Sequence, residues 1–267
     1  MKRLKSDYTI QTVTNALRLL EAFDENEELG VTELSRRLDL HKNNVFRLLA
    51  TLHERNYVDQ CENEQYRLGS GCLELGRSFT RGLSLLRAAR PILEQLVPEV
   101  GETVHIAQLQ GFEVLHLDAE TSEGLVVAGS RVGQKLPAYC TALGKILLAQ
   151  GSAELRQTYD GKVVQAGGLE QRTAETITDR NKFFEHLRSV ALEELAFDFE
   201  ECEAGLNCIA APVYDDKETV VAAISLSGPS FRLSEAALRN RLAPHLRRSA
   251  EELSNRLGYP GSEGHHV

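Results

Sequence analysis

Between residues 31 and 52 the apolar positions fall into two short helical patterns joined by a tight turn. In the second pattern Val45, Leu48, Leu49 and Leu52 recur at i, i+3, i+4 and i+7 and form one stripe. Lys42, Asn43, Asn44 and Arg47 take the opposite side. In the first, Leu34 and Leu38 face inward, with Thr32 as the expected N-cap. Upstream, Val13, Ala16, Leu17, Leu20 and Phe23 predict a helix over residues 12–24, ended by an acidic loop over residues 25–30. Downstream, residues 57–59 and 66–68 read as two short strands around the polar turn 62–64. Three helices and a hairpin make a winged helix-turn-helix over residues 7–70.

Residues 71–90, with Cys72, Leu75, Phe79, Leu83 and Leu86 inward, predict a linker helix, read as a rigid spacer or dimer contact. Pro91 is expected to open a further helix reaching about Val100. From Thr103 the periodicity changes. Residues 104–109 and 113–118 read as a hairpin around Gln110, Gly111 and Phe112, and residues 125–128 as another strand. Helices are expected over 141–150 and 179–195, the latter burying Phe183, Leu187, Val190 and Leu195. The runs 208–214 and 220–227 read as buried antiparallel strands, and 234–257 as a closing helix. Antiparallel strands with helices at their flanks predict an α+β domain over residues 91–259, followed by a frayed tail over 260–267.

Composition sharpens this picture. A chain of 267 residues with 42% hydrophobic and 26% charged residues has the make-up of one or two globular domains. No apolar run approaches the ~18 residues that span a bilayer. The charged start carries no secretory h-region, so no membrane partner is expected. Five cysteines without a CxxC pair argue against a disulfide framework or zinc ribbon and point to the reduced cytoplasm. Net charge is −9; residues 1–70 hold 10 Lys+Arg and 12 Asp+Glu, or −2, which leaves −7 for the rest. The charge that matters for phosphate contact is local: Arg36, Arg37, Lys42 and Arg47 stand within twelve residues against Asp39 alone. Cations there suit phosphates, and Asn43, Asn44 and Arg47 suit base edges of double-stranded DNA. So few phosphate contacts per chain imply a dimer. The acidic turn at Glu62 and Glu64 is expected to contribute little to that contact.

Cofactor motifs are missing. Gly144-Lys145 lacks the remaining residues of a phosphate loop, so Lys145 reads as a surface charge, and no nucleophile elbow or dinucleotide turn is found. His105 and His116 lie in adjacent expected strands and could meet Cys140 or Cys202 around a metal, but the spacing matches no zinc pattern, and core or surface histidines are the simpler reading. Neither cofactor nor metal is expected.

Three tracts in order, ALGKILLA (142–149), EAGLNCIAAPVYD (203–215) and AAISLSGP (222–229), together with the helix-turn-helix, resemble the IclR family of bacterial transcription regulators over nearly the whole chain. The tracts ETVHIA and LPAYCTALGKILLA are most similar to the branch that senses sugar acids such as keto-deoxygluconate. The resemblance implies a GAF-like C-terminal domain that senses a small organic acid (a sugar, keto or aromatic acid) and a homodimer or dimer of dimers on operator DNA. It also implies an effector pocket built from Ala142, Leu143, Asp198, Leu206, Cys208, Ser225 and Ser227, with Leu125 and Ala128 as walls.

Residue by residue, two readings stand beside each other. Ser225 and Ser227 alternate on a strand and share a face, either as ligand-binding hydroxyls or as polar residues of a half-exposed strand. Asp198 receives an effector hydroxyl or caps a turn. Cys208 lines the pocket or is a buried structural thiol, and it has no histidine at a diagnostic spacing for catalysis. At the start of the recognition helix His41, Asn43 and Asn44 replace the family's small hydroxyl residues, and His41 is a weak N-cap beside Ser. The sequence thus predicts a DNA-binding regulator and not an enzyme. The rival reading is an enzyme acting on a small carboxylate behind an N-terminal DNA-binding or dimerisation module.

Overall fold

The computed structural model describes residues 9–23, 28–82, 84–124 and 126–261. The chain divides into two compact units, residues 1–83 and 84–267. Part of the expected acidic loop and tail, and Leu125 and Leu83, lie outside the described residues.

The first unit runs α1 (Gln11–Glu21), α2 (Val31–Leu38), α3 (Lys42–Glu54), β1 (Val58–Gln60), β2 (Tyr66–Leu68) and α4 (Ser70–Gly82). Its core joins Leu19 and Phe23 of the α1 segment to Leu34, Leu38, Val45, Leu48, Leu49, Val58 and Tyr66. β1 and β2 pair antiparallel, Val58 against Leu68, and Leu29 bridges to Tyr66, which fixes the wing to the chain before α2. Three expectations fail here, the first being Leu75 of α4, expected inward and 61% exposed. Val13 and Leu17 are 53% and 55% exposed, while Leu19 is fully buried. The α1 segment carries two apolar stripes, and periodicity alone does not say which one meets α3. The N-cap of α2 is Gly30 rather than Thr32.

The second unit opens with α5 (Ser84–Val100) and continues β3 (Thr103–Gln110), β4 (Glu113–Glu120), β5 (Lys135–Pro137), α6 (Ala142–Gln150), α7 (Ala153–Tyr159), α8 (Arg180–Glu193), β6 (Ala196–Phe199), β7 (Leu206–Tyr214), β8 (Val220–Pro229) and α9 (Ala243–Arg256). π-helical turns follow α7 (Asp160–Val164) and precede α9 (Ala237–Leu242). The six strands form one antiparallel sheet in the order β5-β4-β3-β8-β7-β6. α5 and α9 pack together and against strands of this sheet. α6 packs on the sheet too, and α8 covers α6. The fold is thus α+β: a winged helix-turn-helix followed by an antiparallel sheet flanked by helices.

Pro91 lies inside α5, not at its start. The ring removes one helical N–H, at a cost met by the buried side of this helix, where Ala89, Ile92, Leu93 and Leu96 are almost wholly covered. Residues 126–128 form no strand; Arg232 Nη2 and Thr103 Oγ1 donate to the carbonyls of Val126 (3.1 Å) and Ala128 (2.7 Å), bonds a strand ladder would otherwise use.

α6 explains its own sequence. Residues 142–149 are all buried, because sheet and α8 enclose the helix. Thr141 caps it, its Oγ1 accepting from Gly144 N at 3.1 Å. A Cβ at Gly144 would overlap the backbone of Ala138, so only glycine allows the chain this close.

Candidate functional site

Two faces of the chain carry the chemistry expected from the sequence, one in each unit. In the first, α3 turns Val45, Leu48 and Leu49 inward and leaves Lys42, Asn43, Asn44, Phe46, Arg47, Ala50 and Thr51 exposed. His41 does cap the helix: its Nδ1 accepts from Asn43 N at 3.2 Å, so a ring nitrogen does what a serine hydroxyl does elsewhere. Asn44, Arg47, Leu48 and Thr51 line a shallow groove with Thr12 and Asn15 of α1. Arg36 and Arg37 stand at the end of α2, where both reach Glu33 Oε1, at 2.8 and 3.0 Å. Exposed pairs of this kind are weak, and a phosphate competes with them readily. At the wing, Asn63 Nδ2 donates to Glu28 Oε2 (3.0 Å).

In the second unit, strand register assembles a polar patch from residues far apart in the chain. Asp198 pairs with Cys208, Cys208 with Ser227, and Ser227 with Thr103, one row across four strands. Two residues further along, on the same face, Ala210, Ser225 and His105 form another row. With the start of α6 these rows enclose a cavity of about 30 Å³. Ala142, Leu143, Asp198, Leu206, Cys208, Ser225 and Ser227 line it together. Ala128 does not; its carbonyl is taken by Thr103. His105, His116, Arg131, Leu136, Thr141 and Cys202 complete the wall.

The electrostatics of the cavity follow from burial. His105 is pushed down to about 3, by burial and then by His116, and His116 to about 4, again mainly by burial. Both rings are neutral, and they meet edge to face at 5.4 Å. His105 Nε2 lies 3.3 Å from Gly129 O, and His116 Nδ1 lies 3.4 Å from Gln134 O. A carbonyl only accepts, so those nitrogens carry the protons, and the other nitrogen of each ring is an acceptor. Ser225 Oγ is buried without a hydrogen-bond partner among the described residues. Asp198 combines both sequence readings: Oδ1 accepts from Glu201 N (2.8 Å) and Cys202 N (3.3 Å), capping the turn, and the residue also faces the cavity. Burial lifts its carboxyl to about 7, against the pull of Lys145. Burial likewise raises the Cys208 thiol far above its ordinary value, which keeps it protonated and unsuited to nucleophilic attack. His105 and His116 do not assemble a metal centre; among the described residues no group of three or more His, Cys, Asp or Glu is placed to hold an ion.

Lys145 corrects a sequence expectation. It is fully buried rather than at the surface, and it pairs with Glu201. The signal was present: α6 has no polar face, so a single charge on it has no route to water and needs a buried partner. Glu201 donates its backbone N–H to Asp198, so the ion pair anchors the turn that positions Asp198. Arg131 had no comparable signal, because it comes from a loop without periodicity. It pairs with Glu203 beside the cavity.

A winged helix-turn-helix ahead of an α+β domain of this kind is the architecture of a transcription regulator. The chain belongs to the IclR family: the IclR helix-turn-helix domain matches residues 12–61, and the bacterial transcriptional regulator IclR C-terminal domain matches residues 78–255. It is similar to the HTH-type transcriptional regulator XynR of Escherichia coli (strain K12), with 34% identity over 254 residues, 94% of this chain and 98% of that one. KdgR of the same organism is 33% identical over 257 residues, 96% of this chain and 95% of that one. The solved structure of Thermotoga maritima IclR superposes with a TM-score of 0.79 at 27% identity, covering 94% of this chain and 100% of that one. The family consists of DNA-binding transcription regulators, which sets aside the enzyme reading. No described helix is long and apolar enough to cross a membrane.

Proposed function

We propose that this protein is a cytoplasmic, ligand-responsive transcription regulator. Its α3 enters the major groove of operator DNA, and its second unit senses a small organic acid between the sheet and α6. Lys42, Asn43, Asn44 and Arg47 make the base and phosphate contacts, with Arg36 and Arg37 as phosphate contacts at the flank. A homodimer or dimer of dimers reads two half-sites. The stretch 71–90 acts as the linker between residues 7–70 and residues 91–259. On the family resemblance, Leu125 and Ala128 are proposed as wall residues of the effector-bound pocket.

The observation that carries the sensing role is Ser225 Oγ, a buried hydroxyl without a partner facing a cavity. An unpaired buried hydroxyl costs about 1–3 kcal/mol, and a ligand oxygen removes that cost. Around it stand Ser227, the two neutral imidazoles and Arg131, which suit a carboxylate with hydroxyl or keto groups; Asp198 suits a hydroxyl. The ligand changes operator affinity only by binding one arrangement of the linker better than another.

The test is a thermal-shift screen of sugar acids, keto acids and aromatic acids, followed by operator binding with each hit. A true effector stabilises the protein by about 2.7 kcal/mol at a hundredfold excess over its Kd, without turnover, and shifts operator affinity. A chain that no such acid stabilises is not a sensor of this class.

A further inference from the structure

Phe46 is 57% exposed on α3. It lies on the outward side of the helix, whereas Val45, Leu48 and Leu49 are buried and Leu52 is half-buried against the same core. Asn43, Phe46, Arg47 and Ala50 stand at i, i+3, i+4 and i+7, so they form one outward stripe. Arg47 and Asn44 border the groove toward α1, with the hydroxyls and amide of Thr12, Thr51 and Asn15, a setting for backbone phosphate. Phe46 does not line that groove. Ala50, one turn on, has no long side chain to hold a surface away from the ring.

The stripe therefore offers an amide, an apolar ring, a guanidinium and a methyl, in that order. The major-groove edge of duplex DNA presents donors and acceptors at every base pair, but one apolar group only, the C5-methyl of thymine. We propose that Phe46 is a specificity-determining residue that packs on the C5-methyl of a thymine in each half-site, beside the base that Asn43 reads. This deepens the DNA-binding reading above and rests on it. The ring selects thymine over cytosine by the methyl it covers, while Lys42 and Arg47 hold the helix in register.

The test uses the full chain. Duplexes enriched from a random pool give the operator, and each thymine in a half-site is then replaced in turn by uracil, which removes the methyl and changes no hydrogen bond. At one position per half-site the parent protein should bind the uracil duplex about fourfold more weakly, the effect of one buried methyl group. Phe46→Ala should bind the thymine and uracil duplexes equally, and Phe46→Leu should keep part of the preference. Because the ratio of two duplexes is read on one protein, a general loss of stability does not move it. A parent protein indifferent to every thymine-to-uracil exchange, or a Phe46→Ala protein that still distinguishes them, overturns the assignment while leaving α3 as the DNA-binding helix. A pool that yields no enriched duplex overturns the DNA-binding reading and this inference with it.

Discussion

In the first unit Arg36 and Glu33 meet at the surface, with the arginine side chain 79% exposed; in the second, Lys145 and Glu201 meet with the lysine wholly buried. The same chemistry has opposite consequences. At the surface, water screens the pair, neither charge depends on the other, and both remain available to a third party. Inside, each charge is tolerable only because the other is there. The same contrast holds for the two sites. The outward side of α3 keeps its amides and cations in water, where the proposed exchange onto DNA costs little. The cavity beneath α6 holds hydroxyl, imidazole and carboxyl groups away from water, where each needs a defined partner. A solvated face needs correct spacing along one helix, whereas a buried site needs the register of a whole sheet.

The contrast breaks most visibly at the ion pairs. Lys145→Ala should cost the second unit about 3–5 kcal/mol in a urea unfolding experiment, since it strands the Glu201 carboxylate, whereas Arg36→Ala should cost under about 0.5 kcal/mol. Lys145→Met with Glu201→Leu should recover most of the loss. If Lys145→Ala is as mild as Arg36→Ala, the pair is not shielded from water. Next in size, Arg47→Ala should weaken operator binding by about 1–3 kcal/mol in a fluorescence anisotropy titration and leave the unfolding midpoint in place. Unchanged affinity would remove Arg47 from the interface.

Acid provides a smaller effect. His105, His116 and His186 are held neutral in the folded chain down to about 3, 4 and 4, whereas the unfolded chain takes up their protons as pH falls through 6.5. Stability in the histidines is thus lost as pH drops. Asp198, at about 7, runs the other way: folded, it keeps a proton that the unfolded chain gives up until near pH 4, and the rise at Glu201, opposed by Lys145, acts in the same direction. The histidines outweigh the carboxyls, so stability should fall as pH drops from about 6 to 4.5, by roughly 1.4 kcal/mol per pH unit for each net proton. Replacing His105 and His116 together by Gln should remove most of the slope; an unaltered slope would show that neither ring contributes. Smallest of all, Ser225→Ala should leave the ligand-free midpoint unchanged or slightly higher, because it deletes an unpaired hydroxyl, yet should weaken an effector by about 1 kcal/mol in the thermal-shift assay. A lower ligand-free midpoint would mean the hydroxyl was satisfied after all.

Much of the architecture was legible from local pattern. α3 reads correctly because its apolar and polar sides differ in every turn. β7 and β8 read correctly because they are continuous apolar runs separated by a charged turn. α1 misled because it has two apolar stripes, and the position of α3 decides between them. Pro91 misled because its usual place at a helix start was followed, while tertiary packing carries α5 through it. β5 and β6 are only three and four residues long and lie at the sheet edges, too short for a periodicity to register. At the cavity, seven positions were reached through the family resemblance rather than through spacing. Arg131 and Cys202 were not, since only the folded loops bring them to the wall.

The cavity beneath α6 measures about 30 Å³, enough for one or two water molecules and too little for an organic acid. Any guest of that class must therefore push something aside, and the bulk of the guest, beyond its count of polar contacts, sets how far the surrounding segments travel. α6 is locked to Ala138 through Gly144, the Asp198 turn is tethered by Lys145, and the Arg131 stretch is bonded too, through His116 N to Gln134 O (3.1 Å) and Gly133 N to His116 O (2.8 Å), so a guest has to displace a bonded wall. Under the proposed sensing role, displacing that wall is what lets occupancy favour one arrangement over another, and two acids of equal affinity but unequal girth are then expected to act to unequal extents.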